Sequence, residues 1–246
     1  MKKQVITAFA LVGIPMALMS IQAKENRIEQ VNIMFLLDAS TYSAAPWHGN
    51  SKFEHIRTAL QHVYEEMNKT PIWGLNVGLR VFGDSSVPEK NNCLDYRLAV
   101  KLDWFEPGLL NRSIEAVVPK GKNCFAYGIV SVVEDFPTNR PLPRNILISF
   151  ITARDDCTKD EFITLKNVID MAQIEAVYII GVDLEKADQD YFQPFFSELP
   201  GLFINATSPE SLKETAVDIV IQKSLKKIEP QELVGQETET RQNTQE

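Results

Sequence analysis

The sequence predicts an α/β protein built on a doubly wound, mostly parallel β-sheet with flanking helices. Three continuous apolar runs have the composition of strands that are buried on both faces, at residues 31–37, 146–151 and 176–182. Segments with helical periodicity separate these runs. Strands that alternate with helices form parallel β-α-β units, and ligands bind such sheets beyond the carboxyl ends of the strands.

The first half of the chain contains the elements that begin this pattern. The strand at 31–37 is followed by a helix at 51–67, whose apolar residues share one stripe. The members of the stripe are Phe53, Ile56, Leu60, Val63 and Met67. A second strand is predicted at 75–82. The short alternating segment 97–102 predicts one antiparallel edge strand.

The second half continues the alternation. Helices are predicted at 109–117, 125–136, 161–171, 188–199 and 208–221, and strands at 146–151, 176–182 and 202–205. Pro194 interrupts the fourth of these helices because it has no backbone N–H to donate. Ser208 and Pro209 suit the cap and first position of the last helix.

Both ends of the chain differ from this central domain. Lys2 and Lys3 precede an uncharged apolar run that ends near Ala23, which predicts a signal peptide over 1–23. A retained membrane anchor is the alternative, and no other segment is long and apolar enough to span a bilayer. The domain is predicted over 24–227. Residues 228–246 are rich in Gln, Glu and Thr and predict a disordered tail. The protein is therefore expected to be exported, either periplasmic or secreted.

The charge excludes one class of partner. The formal net charge is −8, and removal of Lys2 and Lys3 would leave about −10. An acidic chain repels a phosphate backbone, so nucleic acid is not expected as a partner.

Hard oxygen ligands follow the first strand. Asp38 and Ser40 leave a buried strand at its carboxyl end, where such oxygens suit Mg²⁺, Mn²⁺ or Ca²⁺. The stretch from Leu36 to Leu60 resembles the opening of von Willebrand factor A (VWA) domains, in which a strand runs into Asp-x-Ser-x-Ser. It is most similar to a bacterial exported branch that has Gly-x-Ser-Lys at the first helix.

Five further motifs carry the same resemblance, in the order that the family has them. They begin at Gly78, Cys93, Gly121, Ile148 and Ile180. The resemblance extends over about 31–225 and implies the VWA fold and protein–protein contact or adhesion. Because the sequence contains no catalytic motif, no enzymatic activity is expected.

The family's metal-ion-dependent adhesion site would use five side chains here. Asp38 and Ser40 retain the family's residue types. The second Ser position is Tyr42, the Thr position is Asn123, and the second Asp position is Ala153. A divalent ion needs near-octahedral oxygen geometry, and Ala153 supplies no ligand. Asp38, Ser40 and Asn123 therefore predict a degenerate site that binds no cation, or binds Mg²⁺, Mn²⁺ or Ca²⁺ weakly. The alternative role of Asp38 and Ser40 is to cap the following turn.

Three cysteines allow three disulfide pairings. Export permits a disulfide, and the odd count leaves one thiol over. The branch that this sequence resembles has cysteines at the positions of Cys93 and Cys157, which implies that these two pair. Cys124 would instead pair with Cys157 or remain a buried thiol.

The function that follows is a protein-binding module that uses the loops at the carboxyl edge of the sheet. Tyr42, Trp47, Asp155 and Asp156 are the candidate contacts to a protein partner. For the aromatic residues, the alternative is that they pack their loops onto the domain. Two other functions stay open: a structural subunit or assembly factor of a cell-envelope complex, and an exported hydrolase. The hydrolase would need His48 beside Ser40, and the sequence contains no catalytic motif.

Overall fold

A computed structural model describes residues 30–69, 74–84, 93–137, 143–158 and 161–225. The predicted signal peptide and the predicted tail lie outside these residues. The described chain folds around a six-stranded sheet of order β5-β4-β1-β6-β7-β8, in which every neighbouring pair is parallel except β4 and β5. The predicted doubly wound α/β architecture and its antiparallel edge strand are therefore confirmed.

The strands of this sheet fall close to the positions that the apolar runs predict. They are β1 (Val31–Asp38), β4 (Leu75–Phe82), β5 (Tyr96–Trp104), β6 (Arg144–Ile151), β7 (Ile174–Val182) and β8 (Gly201–Ala206). Chain order reverses beside β1, because the chain first adds β4 on one side and later β6 on the other. The carboxyl ends of β1 and β6 consequently flank a topological switch point, where open α/β sheets bind ligands.

Helices cover both faces of the sheet. They are α1 (Lys52–Lys69), α2 (Pro107–Glu115), α3 (Phe125–Val132), α4 (Glu161–Ala172), α5 (Lys186–Phe192) and α6 (Pro209–Val217). Helices α1, α2 and α6 contribute to one hydrophobic core, and α3, α4 and α5 contribute to the other. Successive β1 residues alternate between the two cores, with Phe35 in the first and Leu36 in the second, so β1 is buried on both faces.

Several element boundaries differ from the predictions for local reasons. A 3₁₀ turn (Gln193–Ser197) follows α5 and contains Pro194, so the single helix predicted over 188–199 is wrong. A π-helix (Asp218–Leu225) continues from α6. Helix α3 ends at Val132, four residues before the predicted end.

One element was not predicted from the sequence. A two-residue hairpin precedes α1, formed by β2 (Pro46–Trp47) and β3 (Asn50–Ser51). His48 and Gly49 have φ angles of 46° and 88°, so both residues of the turn are left-handed. Each strand has only two residues, and a strand that short leaves no detectable periodicity.

Candidate functional site

Asp38 is the centre of the candidate site. It is the last residue of β1 and is fully buried. Its Oδ1 accepts a hydrogen bond from the Ser40 N–H at 2.8 Å. Its Oδ2 accepts from the Thr152 N–H at 2.9 Å, the Thr152 hydroxyl at 2.5 Å and Asn123 Nδ2 at 3.2 Å. Four protein donors therefore bind one carboxylate.

The environment of Asp38 shifts its titration. Burial raises the pKa of this carboxyl above its ordinary value of 3.8, and the hydrogen bonds from Ser40 and Thr152 oppose the shift. With a raised pKa, the folded chain binds this proton more tightly than the unfolded chain does. The contribution of Asp38 to the free energy of unfolding is therefore largest at low pH. It falls as the pH rises from 3.8 through the folded-state pKa.

This shift predicts a pH dependence that an Asp38→Asn variant would lack. We expect the free energy of unfolding of the wild-type chain, relative to the variant, to decrease as the pH is raised from about 4 to 7. Urea unfolding of both chains at several pH values measures it. A relative stability that increases with pH would show that the folded state instead lowers the pKa of Asp38.

Asn123 is oriented by groups on both sides of its amide. Its Nδ2 donates to Asp38 Oδ2 and to the Ala153 carbonyl at 3.1 Å, while its Oδ1 accepts from the Phe125 N–H at 3.2 Å. A reversed amide would direct the oxygen at two acceptors, so this orientation is the one that the surrounding groups allow. The amide therefore presents a donor to Asp38. Its only oxygen is used at the start of α3.

Tyr42 and Asp156 form a second arrangement above this centre. The Tyr42 hydroxyl donates to Asp156 Oδ1 at 3.1 Å, and the Asn123 N–H donates to Asp156 Oδ2 at 3.1 Å. Burial raises the pKa of Tyr42, and the Asp156 charge adds to the shift. The Tyr42 hydroxyl thus donates to Asp156, and Asp156 joins its own loop to the loops that contain Tyr42 and Asn123.

Asp155 stabilises the loop after β6 and the start of α3. Its Oδ2 accepts from the Ala126 N–H at 2.7 Å, and its Oδ1 accepts from the N–H groups of Cys157 and Thr158 at 2.5 and 2.8 Å. These are groups that a helix N-terminus and a tight loop leave without backbone partners. The carboxylates of Asp155 and Asp156 are therefore held by contacts other than Asp38.

Ser40 is fully buried, and its side chain is close enough to the Asp38 carboxylate to lower the pKa of that group. It lies against Gly83 and Gly121, and the chain forms an isolated parallel bridge between Ser40 and Gly121. A Cβ atom on Gly83, where φ is 78°, would lie 2.8 Å from Ser40 Cα. The loop after β1 thus packs against backbone that only glycine permits.

We expect Gly83→Ala to lower the free energy of unfolding by roughly 2–4 kcal/mol, because the variant combines a strained φ with backbone overlap. Gly49→Ala is the matched control. Gly49 has a similar φ of 88°, but its added Cβ would have no atom within 4 Å, so the expected cost is about 1 kcal/mol. Equal losses in chemical denaturation would contradict the close packing at Gly83.

Most side-chain atoms at the predicted metal positions have hydrogen-bond partners within the protein. Both Asp38 oxygens have protein donors, and Asn123 presents an N–H group. Ala153 has no side-chain ligand atom, and its carbonyl accepts a hydrogen bond from Asn123. The described residues also contain no group of three His, Cys, Asp or Glu side chains that could hold a metal.

A pocket of about 580 Å³ opens beside this centre, between the loops that follow β1, β6 and β7. Its charged lining consists of five acidic residues and two basic ones, namely Asp155, Asp156, Asp183, Glu185 and Asp188 with Lys52 and Arg154. Lys52 pairs with Asp183 at 3.5 Å, and Arg154 pairs with Asp188 at 2.7 Å and lies over the Tyr191 ring. The pocket carries an excess of negative charge because the acidic residues outnumber the basic ones. Both basic residues are also paired with acidic residues of the lining.

Trp47 does not contribute to an exposed surface. The residue is only 7% exposed, and its ring packs edge-on against His55, whose Nε2 donates to the Trp47 carbonyl at 2.9 Å. The expectation that Trp47 is an exposed contact for a partner is therefore wrong. Its ring attaches the hairpin to α1, which is the alternative that the sequence left open. Tyr42 is 45% exposed and remains a candidate contact to a protein partner.

The disulfide implied by the resemblance is present. Cys93 and Cys157 are bonded, with Cα atoms 5.8 Å apart. Cys124 is buried and not part of a disulfide. Burial raises its pKa to about 12.

The role of Thr152 was not predicted from the sequence. This residue lies directly after β6 and supplies two of the four donors to Asp38. The signal available was a hydroxyl residue at the carboxyl end of the strand that pairs with β1. The prediction that Asp38, Asn123 and Ala153 gather at one point is confirmed by the contacts that join them.

A six-stranded sheet with this topology and an Asp-x-Ser loop at its switch point defines a class of α/β domains, and solved structures identify the class. The SpRpn10 VWA domain matches with a TM-score of 0.58 and 17% identity, over 76% of this chain and 93% of that one. The pilus adhesin SpaC from Lactobacillus rhamnosus GG matches with a TM-score of 0.61 and 15% identity, over 79% of this chain. The chain therefore has the fold of a VWA domain, as the resemblance implied.

A third match bears on metal binding in other proteins of this fold. Proximal thread matrix protein 1 from the mussel byssus, in a structure with a zinc-occupied MIDAS motif, matches with a TM-score of 0.55 and 13% identity. The matched region covers 78% of this chain and 48% of that one, and the match to SpaC covers 31% of the adhesin. No family model matches the sequence, and no curated protein matches it significantly.

Among the residues that the structure describes, none of the helices is both long and apolar enough to cross a bilayer.

Proposed function

We propose that this chain is an exported protein-binding module of the VWA fold that binds its partner without a metal ion. The binding surface is the top face, defined as the loops 39–49, 121–125, 152–158 and 183–188 at the carboxyl edge of the sheet. The observation that carries the proposal is the occupation of Asp38 by four internal donors. In this proposal, hydrogen bonds within the protein perform the structural work that a cation would otherwise perform.

Two further observations support a binding role. SpaC, a pilus adhesin, shares the fold, and adhesion is one use of a module of this kind. The two hydroxyl nucleophiles at the centre, on Ser40 and Thr152, are both buried, which leaves no access for the substrate of a hydrolase. A binding function therefore fits the site better than catalysis does.

The pocket indicates the chemistry of the partner. Asp156 and Glu185 contribute negative charges that no lysine or arginine of the pocket pairs with, and Tyr42 adds an exposed ring at the same rim. A lysine or arginine side chain complements this combination of carboxylates and aromatic surface. We therefore assign the pocket to a basic side chain of a protein partner.

Site-specific photo-crosslinking tests this function. p-Benzoylphenylalanine is introduced in place of Lys186, beside the pocket, and in a matched chain in place of Met171, an exposed residue near the end of α4. We expect a discrete adduct in an envelope extract of the source organism from position 186 only, in equal yield with EDTA or Mg²⁺. An adduct that requires Mg²⁺, or equal adducts from both positions, would contradict the proposal.

Charge reversal at the rim tests the chemistry of the partner. Glu185→Lys is expected to reduce the adduct yield by up to about fivefold, since one exposed ion pair contributes up to about 1 kcal/mol. Glu134→Lys makes the same change of charge on an exposed residue outside the pocket lining. A similar reduction in both variants would indicate a general effect of net charge and would argue against a specific site.

A further inference from the structure

Three cysteines meet beside the top face, and only two of them share the disulfide. The Cys124 Sγ lies 3.7 Å from the Cys157 Sγ, which is already bonded to Cys93. The Cys124 thiol donates to the Lys122 carbonyl at 3.6 Å, and this contact keeps the thiol in the turn before α3. A thiol is therefore in contact with one sulfur of an existing disulfide.

We propose that Cys124, Cys157 and Cys93 form an intramolecular thiol–disulfide exchange site, through which the chain passes between two disulfide isomers. Cys124 loses its proton to solvent base, and its thiolate attacks the Sγ of Cys157. The Cys124–Cys157 bond forms as the Cys157–Cys93 bond breaks. Cys93 leaves as a thiolate and takes up a proton. One disulfide and one thiol exist before and after the step, so no oxidant or reductant is needed.

The geometry requires only a small displacement. A disulfide bond is about 2.05 Å long, so the two sulfurs would have to approach each other by about 1.6 Å. Cys157 belongs to the loop between β6 and α4, and Cys124 is the residue before α3. Neither residue is inside a strand or a helix. The Cys124 carbonyl accepts the first backbone hydrogen bond of α3 from the Gly128 N–H, so the approach has to come from the side chains and from the loop that contains Cys157.

Burial makes the exchange slow near neutral pH. With the pKa of Cys124 raised to about 12, roughly one molecule in 10⁵ carries the thiolate at pH 7. As the pH is raised toward this pKa, the exchange rate should increase about tenfold per pH unit, because the thiolate is the attacking species. Exchange between the two isomers is therefore expected to be slower at neutral pH than at alkaline pH.

The exchange would change which segments are covalently joined. In the present isomer, the chain before β5 is attached to the loop after β6 through Cys93 and Cys157. In the other isomer, the turn that contains Asn123 is attached to that loop, and the thiol moves from buried Cys124 to half-buried Cys93. This inference concerns covalent chemistry and does not depend on the proposed partner binding.

Trapping the released thiol tests the exchange. The full chain is incubated without reductant at pH 7 and pH 9 in the presence of iodoacetamide, and peptide mapping then locates the label and the disulfide. We expect label on Cys93 together with a Cys124–Cys157 bond, formed about 100-fold faster at pH 9. The Cys124→Ser chain should retain its original disulfide and take up no label.

A second variant removes the competing bond. Cys93→Ser in a glutathione redox buffer, in which oxidised glutathione is the oxidant, should form an intramolecular Cys124–Cys157 disulfide. The proposal is overturned if the label appears on Cys124 alone, or if the original disulfide persists unlabelled at pH 9. Failure of Cys93→Ser to form the bond would also overturn it.

Discussion

Replacing Asp38 with alanine is expected to lower the free energy of unfolding by roughly 3–5 kcal/mol. The carboxylate accepts hydrogen bonds from Ser40, Asn123 and Thr152, and the substitution would leave these buried donors without an acceptor. The effect does not require a metal, because every contact that is lost lies within the protein. Urea unfolding of the two chains in EDTA measures it.

Asp38→Asn is the matched control for this prediction. Asparagine keeps the volume and one acceptor oxygen, so it should lose less than half as much stability as alanine does. A loss below about 1 kcal/mol for Asp38→Ala in EDTA would contradict the structural role of the carboxylate. In that case Asp38 would be better explained as a metal ligand that stabilises the protein only when a cation is bound.

Removal of the disulfide is the second large effect. Cys93 and Cys157 are 64 residues apart, and a cross-link of that length restricts the unfolded chain by roughly 4 kcal/mol in the chain-entropy model. We expect this loss when Cys93→Ser is combined with Cys124→Ser and compared with Cys124→Ser alone. The shared background prevents Cys124 from replacing the missing partner.

Dithiothreitol supplies the control for the disulfide prediction. It should reduce the stability of the single Cys124→Ser chain to that of the double variant, and it should leave the double variant unchanged. A double variant as stable as its background would show that strain in the native bond offsets its entropic effect. Guanidinium unfolding with and without the reductant distinguishes these results.

Much of the fold could be predicted because burial dictates sequence strongly in a parallel sheet. Strands β1, β6 and β7 are covered on both faces, so they consist of continuous apolar runs that few other structures explain. The hairpin before α1 could not be predicted in this way. It depends on the conformations of His48 and Gly49, and two-residue strands have no period to detect.

The sequence predicted where the residues of the candidate site lie better than it predicted their hydrogen bonds. The sequence places Asp38 and Asn123 at strand ends and turns that the topology then brings together. It does not reveal that Asn123 directs its amide nitrogen at Asp38, since that choice depends on the Ala153 carbonyl and the Phe125 N–H. The burial of Trp47 could not be predicted for a similar reason, because an aromatic residue in a loop is exposed or buried according to what packs over it.

Protein donors bind both oxygens of the Asp38 carboxylate, and titration with a metal tests most directly whether this centre works without a cation. The full chain is titrated calorimetrically with MnCl₂ after EDTA is removed, and its unfolding is compared in EDTA and in excess Mn²⁺. We predict no saturable heat and no change in unfolding free energy. Saturable binding that is lost in Asp38→Ala, with about 2.7 kcal/mol of stabilisation at 100 times the Kd, would contradict it.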